Sequence, residues 1–368
     1  MCGIVGAASQ RNVYKILIEG LRRLEYRGYD SAGLSIMDAE KKLQTRKTIG
    51  RVADLEKLTA QNNIAGHTGI SHTRWATHGE PNSINSHPHT SAGVSVVHNG
   101  IIENHDQLRE EVKALGYEIL SATDTEVIAH LVHHQLKTTA DLRTAVQKTI
   151  AKLDGAYALA VIADDQPDTV IGARSGSPLV IGVGIDENFI ASDQMALRQV
   201  TDRFVFLEEG DLVELSSASY SIYDQSGKEV QRAVEQLDET DLIAEKGHYR
   251  HFMQKEIFEQ SVVLANTTAG RIAEDHIREA IFGYQAEALF AQTNNIQIVA
   301  CGTSFHSGLV AKYWLEEYTG VPCQVEVASE YRYRTVPVPT ATLFVTISQS
   351  GETADTLAAL RKAKGSGY

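Results

Sequence analysis

The sequence predicts two domains: stacked, mainly antiparallel sheets covered by helices, and then a parallel, doubly wound α/β sheet. Three observations carry this. The chain has 368 residues, more than a single hydrophobic core usually serves. Residues 156–226 read as strand after strand following helix pairs, the pattern of stacked antiparallel sheets with a helical cover. From residue 296 onward strands alternate with helices, which implies parallel pairing. Between about Gln225 and Glu245 apolar residues thin out and acidic ones gather. A linker over 226–245 therefore separates a first domain, 2–225, from a second, 246–368.

In chain order, Cys2 to Ala8 is an apolar strand. Val13, Ile16, Leu17, Leu21 and Leu24 fall at helical spacing over 13–25. A loop through Tyr26–Gly33 leads into a strand over 33–37, and a further strand over 43–47 and a short helix over 52–58 follow. The stretch 69–79 passes from a strand into a polar loop. Val94 to Val97 delivers His98-Asn99-Gly100 to a strand end, where Asn-Gly also fits a hairpin turn. A helix over 105–114 stops at Gly116. Thr123 as N-cap with Glu126 three residues on reads as a capping box, starting a helix that runs through Leu136. Strands follow over 156–162, 169–173, 179–184, 189–191, 204–207, 212–215 and 221–223. Beyond the linker come helices over 248–264 and 268–282, then strands over 296–301, 324–328 and 343–347.

Composition narrows the function classes. A formal charge of −13 disfavours non-specific nucleic-acid binding, so an anionic ligand must be held by local donors. The longest apolar runs are strand-sized, far below the roughly 20 residues of a membrane helix, and no secretory segment precedes Cys2. Three cysteines make no disulfide framework and suit a reducing cytoplasm. His87-Pro88-His89 and the helix-face set His130, His133 and His134 are the best metal candidates. No thiolate lies near them in sequence, so they read as structural, with no metal and no cofactor expected.

The chemistry begins at the second residue. If Met1 is removed, the Cys2 thiol shares one residue with an α-amine of pKa about 7.7 to 8.0, which can take the thiol proton directly or through one water. Cys2 is otherwise a small residue opening a buried strand. Asn99 and the backbone of Gly100 offer two donors to a developing oxyanion. Arg74 suits a bidentate carboxylate and Asp124 an ammonium group, the two ends of glutamine. Arg74-Trp75 also fits a surface pair, and Asp124 the first turn of a capped helix.

Five stretches, Cys2–Gly6, Leu24–Gly33, His72–Gly79, Val97–Asn104 and Thr123–Glu126, match in order and spacing the family of glutamine:fructose-6-phosphate amidotransferases, which the chain resembles. The resemblance implies a class II glutaminase domain of the N-terminal nucleophile fold, an αββα stack. It makes Cys2 the nucleophile, Asn99 and Gly100 the oxyanion hole, Arg74, Thr77, His78 and Asp124 the glutamine ligands, and Trp75 a mobile gate toward the ammonia path. In the second domain, strands end in Gly302-Thr303-Ser304 and in Ser348-Gln349-Ser350-Gly351-Glu352-Thr353, each followed by a helical pattern. Such turns present N–H groups and hydroxyls to an anion, and two of them resemble a sugar isomerase (SIS) domain, as do 249–257 and 328–334. Thr303, Ser304, Ser348, Gln349, Ser350 and Thr353 are its phosphate candidates.

The substrates so implied are L-glutamine and fructose 6-phosphate, the product glucosamine 6-phosphate for hexosamine synthesis, and the full-length enzyme a homodimer. The chain departs from that family by stopping after three strands of a domain that normally has five, without the second SIS domain and its imine-forming lysine. A fragment truncated within its first SIS domain and keeping only glutaminase activity is the expectation. A non-catalytic sugar-phosphate sensor built on a glutaminase scaffold is the alternative.

Overall fold

The computed structural model describes residues 2–25, 29–60, 64–76, 78–236, 249, 251–272, 276–283, 285–335, 337–348, 353–366 and 368. The chain forms two compact units, Met1–Tyr284 and Gln285–Tyr368. Of the expected linker over 226–245, residues 226–236 are described and contain two short strands at Glu229–Val230 and Glu235–Gln236, while 237–245 lie outside the described residues.

The first unit is built on two antiparallel sheets. One contains β1 (Gly3–Ser9), β2 (Ser31–Met37), β3 (Leu43–Ile49) and β4 (Thr68–Arg74). The other is formed in part by β5 (His89–Ser91), β6 (Val94–Ile102), β7 (Gly155–Ala163) and β8 (Gln166–Ser175). The first sheet is completed by β9 (Val180–Val183), β10 (Glu187–Ala191), β11 (Arg203–Phe206) and β15 (Glu235–Gln236), in the order β15-β11-β9-β10-β1-β4-β2-β3. The second gains β12 (Leu212–Leu215), β13 (Tyr220–Tyr223) and β14 (Glu229–Val230), in the order β14-β13-β12-β8-β7-β6-β5.

Period-two alternation sorts the side chains into layers. On β1, Ile4 and Ala8 enter the core between the sheets, while Val5 and Ala7 face α1 (Tyr14–Leu24) and α2 (Val52–Ala60). On β7, Ala158, Ala160 and Ile162 point inward, and Tyr157, Leu159 and Val161 pack under α3 (His105–Ala114), α4 (Glu126–Leu136) and α5 (Leu142–Ile150). Both faces of each central strand are thus covered, and the unit is an αββα stack. After it come α6 (Phe252–Thr268) and a 3₁₀ turn at Glu279–Phe282.

The second unit holds α7 (Ala286–Gln292), β16 (Asn295–Ala300), α8 (Gly302–Thr319), β17 (Cys323–Val327), α9 (Ala328–Tyr331), β18 (Thr342–Ile347) and α10 (Ala354–Lys364). Its strands pair in parallel in the order β17-β16-β18. Ile296 and Ile298 pack with Ala311 and Leu315 of α8, whereas Val299 packs with Ala328 and Tyr331 of α9 and Ala359 of α10. Helices therefore cover both faces, as a doubly wound sheet requires.

Three local expectations are corrected. Asn99-Gly100 is no turn and no strand end: β6 runs to Ile102, with Asn99 opposite Ala158 and Gly100 opposite Tyr157. The capping box does not form either. Helix α4 starts at Glu126, and the Thr123 hydroxyl turns to His89 and Ser121. No helix spans 268–282: α6 ends at Thr268 and Gly270 follows at φ +70°, a left-handed conformation that breaks a helix.

Candidate active site

Strand register sets where the Cys2 side chain lies. Gly3 pairs with Thr73 across β1 and β4, so Cys2, just before β1, sits beside the residues just past β4. The Trp75 N–H donates to Cys2 Sγ at 3.2 Å, and Sγ lies 3.6 Å from the Trp75 carbonyl. From the opposite sheet, Asn99 Nδ2 donates to the Cys2 carbonyl at 3.1 Å. Cys2, Trp75, Asn99 and Gly100 line one cavity of about 380 Å³ together with Arg271 and Phe282. Burial pushes the Cys2 thiol up; the Trp75 N–H and Arg74 pull it down but do not cancel burial, and Asp30 adds to the rise. A thiol held above its ordinary value needs a base to become a nucleophile.

Gly100 stands at φ +135°, and a Cβ there would lie 1.9 Å from the Ala156 carbonyl oxygen. Only glycine fits this point of β6.

His72 and Asp30, to which the sequence assigns no role, hold Asn99 and the Trp75 backbone in place beside Cys2. His72 is fully buried on β4, and its Nε2 lies 2.9 Å from Asn99 Oδ1 and 3.0 Å from the His98 carbonyl. Both partners accept, so Nε2 carries the proton, and the Asn99 oxygen is turned to His72 while its NH2 faces Cys2. Asp30 brackets the Trp75 backbone: its N–H donates to the Arg74 carbonyl at 2.8 Å and its carboxylate accepts from the Ala76 N–H at 2.5 Å. Asp30 and His72 both lie in stretches that the sequence marks, Leu24–Gly33 and His72–Gly79, but neither side chain is singled out there.

Arg74 is buried. One amino group donates to the His78 and Gly79 carbonyls, and the other, NH1, has no hydrogen-bond partner among the described residues. Asp124 is buried just ahead of α4, where it accepts from the Ile102 N–H at 2.9 Å and lies 3.9 Å from both His78 and His98. Burial opposes its charge, but His98, His78 and the Ile102 N–H outweigh that and hold its carboxyl below the usual range. Neither Arg74 nor Asp124 lines the Cys2 cavity itself, and Thr77 lies outside the described residues.

Behind Asn99 the rings continue: His72 stacks on His87 at 4.2 Å, and His87 meets His89 edge-on at 4.9 Å. Burial drives His72 down to about 3 and lowers His87 and His89 strongly as well. The other histidine set disperses, His130 to Ser91 and His133 to Tyr117. Among the described residues no three His, Cys, Asp or Glu gather as a metal site.

In the second unit Thr303 and Ser304 occupy the first turn of α8 directly after β16, Ser348 follows β18, and Thr353 stands just before α10 without a side-chain capping bond. Ala300 pairs with Ile347, so both segments leave the same edge of the sheet. Gln349 and Ser350 lie outside the described residues.

Residues 72–199 match the family described as a glutamine amidotransferase domain, and residues 289–368 the SIS domain. The chain also resembles a solved glutamine phosphoribosylpyrophosphate amidotransferase from B. subtilis, at TM-score 0.53 and 20% identity over 92% of this chain and 69% of that one, a likeness of fold. The fold and these two family matches together define a glutamine amidotransferase domain of the N-terminal-nucleophile fold followed by a SIS domain. Within that class the chain is a close relative, over its whole length, of proteins named glutamine–fructose-6-phosphate aminotransferase (isomerizing): 60% identical to the one from Pseudomonas putida and 54% to the one from Escherichia coli K12. It spans 60% of the length of each. No described helix is long and apolar enough to cross a membrane.

Proposed function

We propose that the first unit hydrolyses L-glutamine and that, in the longer protein, the ammonia passes to fructose 6-phosphate to give glucosamine 6-phosphate. The observation that carries this is the meeting of the Cys2 thiol with Asn99 and Gly100 on one cavity wall. Cys2 Sγ adds to the side-chain amide carbon of glutamine, and its proton goes to the α-amine exposed by loss of Met1. The oxyanion is held by Asn99 Nδ2 and Gly100. The same amine returns the proton to the leaving nitrogen, ammonia departs, and water hydrolyses the thioester to glutamate. Arg74 NH1, buried and unpartnered among the described residues, supports binding of the substrate carboxylate there. Asp124 takes the ammonium group, His78 and Thr77 complete the pocket, and Trp75 gates it.

The sugar phosphate goes to Thr303, Ser304, Ser348, Gln349, Ser350 and Thr353, since α8 begins directly after β16 beside the paired end of β18 and ligands of open parallel sheets bind at such strand ends. We assign 2–225 to the amidotransferase, 226–245 to the linker and 246–368 to the SIS part. The setting is the cytoplasm and the full-length protein a homodimer that binds neither nucleic acid nor membrane.

The 368-residue chain is expected to release ammonia from glutamine and to make no glucosamine 6-phosphate from fructose 6-phosphate. Both products are assayed, with Cys2→Ala and an intact-mass measurement of Met1 removal alongside. Wild-type ammonia release by Cys2→Ala overturns the nucleophile, and amino sugar from this chain overturns the restriction to glutaminase.

A further inference from the structure

Two stacked sheets leave their outermost strands along an open edge, and here β3 ends one sheet and β5 the other. Between them lies a second cavity, of about 420 Å³, lined by Arg46, Lys47, His89, Thr90, Ser121 and Glu126 among others, none of which lines the Cys2 cavity. Its charges do not balance. The Glu126 carboxylate is already engaged by the Leu120 N–H at 2.9 Å and the Ser121 N–H at 2.6 Å, with His130 at 3.6 Å. Neither cation has a carboxylate ion pair among the described residues: Arg46 donates to the Thr45 carbonyl at 2.8 Å and Lys47 to the Ile84 carbonyl at 3.1 Å.

Burial lowers Lys47 to about 8 even though Glu126 pulls it up, the behaviour of a desolvated cation without a counter-ion. His89, on the cavity wall, is kept neutral chiefly by its own burial. The cavity therefore carries two cations against one committed carboxylate. Its volume is at the small end of ligand pockets.

We propose that this edge cavity binds a small oxyanion, phosphate or carboxylate, between Arg46 and Lys47. A guanidinium fork matches the paired oxygens of either group, and the Thr90 and Ser121 hydroxyls can donate to the remaining ones. The anion supplies the missing counter-charge and shields the Lys47 amine.

The test reads Lys47 itself. The chain is acylated with acetic anhydride at pH 8 and labelling of the Lys47 peptide is followed by mass spectrometry. Sodium phosphate and sodium succinate are titrated separately against sodium chloride at constant ionic strength. Saturable protection of Lys47 is expected; protection by phosphate alone assigns a phosphate ligand, and by succinate alone a carboxylate. Arg46→Gln should raise the half-protecting concentration about tenfold, the scale of one charge-assisted hydrogen bond, with near-ultraviolet circular dichroism checking that it is folded. Thr303→Ala with Ser304→Ala should leave protection intact, separating this site from the second unit. The proposal fails if neither anion protects Lys47, if Arg46→Gln is protected like the wild type, or if the Thr303/Ser304 double variant loses protection.

Discussion

Lowering the pH from 7.5 to 5.5 should destabilise the first unit through the histidines behind Asn99. His72 is buried and its pKa falls from 6.5 to about 3, so in this range it stays neutral in the fold and binds a proton once unfolded. A base with a depressed folded pKa contributes full stability above the unfolded value and loses it as pH falls below 6.5. Linkage puts the loss at about 1.4 kcal/mol at pH 5.5 for His72 alone. His87 and His89, lowered by burial as well, act in the same direction. Glu126, at about 2, is still charged at pH 5.5 and scarcely contributes, so the window isolates the imidazoles. Urea unfolding followed by circular dichroism at the two pH values measures the change, and proton uptake on unfolding at pH 5.5 measures its cause. An unchanged midpoint together with no proton uptake would refute buried, neutral imidazoles.

Asp30→Ala, which frees the Ala76 N–H, should lower glutaminase kcat about tenfold, while Asp30→Asn, still an acceptor, restores kcat although it too lacks the charge that raises the Cys2 thiol; wild-type kcat in the alanine variant rejects the clamp. Gly100→Ala must accommodate a Cβ 1.9 Å from a carbonyl oxygen at φ +135°, so a loss of about 3 kcal/mol or more is expected by thermal melting, and an unshifted melt contradicts the geometry. Asp124→Asn keeps an acceptor for the Ile102 N–H but removes the charge for the substrate ammonium. Its KM for glutamine should rise about tenfold or more with little change in melting, whereas a normal KM beside a large melting shift makes Asp124 purely structural.

What was legible in the sequence follows from which force sets each element. Helix α3 and its stop at Gly116, at φ +87°, are local signals and were read within a residue. Strands β1 and β7 announced themselves as apolar runs because both of their faces are covered. Where tertiary pairing overrides local preference the reading failed: Asn-Gly favours a turn in isolation, but nine residues of β6 pair with β7 and hold the dipeptide extended. Helix α5 went unread although Asp141 caps it by accepting from the Thr144 N–H at 2.7 Å. In the site, the residues proposed to meet substrate, Cys2, Asn99 and Arg74, have side chains whose chemistry is readable on its own. His72 and Asp30 act on other residues, His72 on Asn99 27 positions away, and that relation exists only in the fold.

The same division explains why the proposed nucleophile, Cys2, depends on strand register. Cys2 and His72 belong to one sheet and Asn99 to the other, so these three residues meet only if β1 pairs with β4 and both sheets stack in a single alignment. Since side chains alternate along a strand, a slip of β1 by one residue would turn Val5 into the inter-sheet core and Ile4 out toward α1. The packing opposes that slip at Gly3, where a Cβ would lie 2.7 Å from Thr73 Oγ1 and 2.8 Å from Leu24 Cδ1, and at Gly6, where it would lie 2.7 Å from Ile190 Cγ2. Any other residue brought to either place by a shift meets those atoms. The small residues that flank the thiol thus do by exclusion what the hydrogen bonds of Trp75 and Asn99 do by attraction, and together they leave the Cys2 sulfur one position beside Asn99 and Gly100.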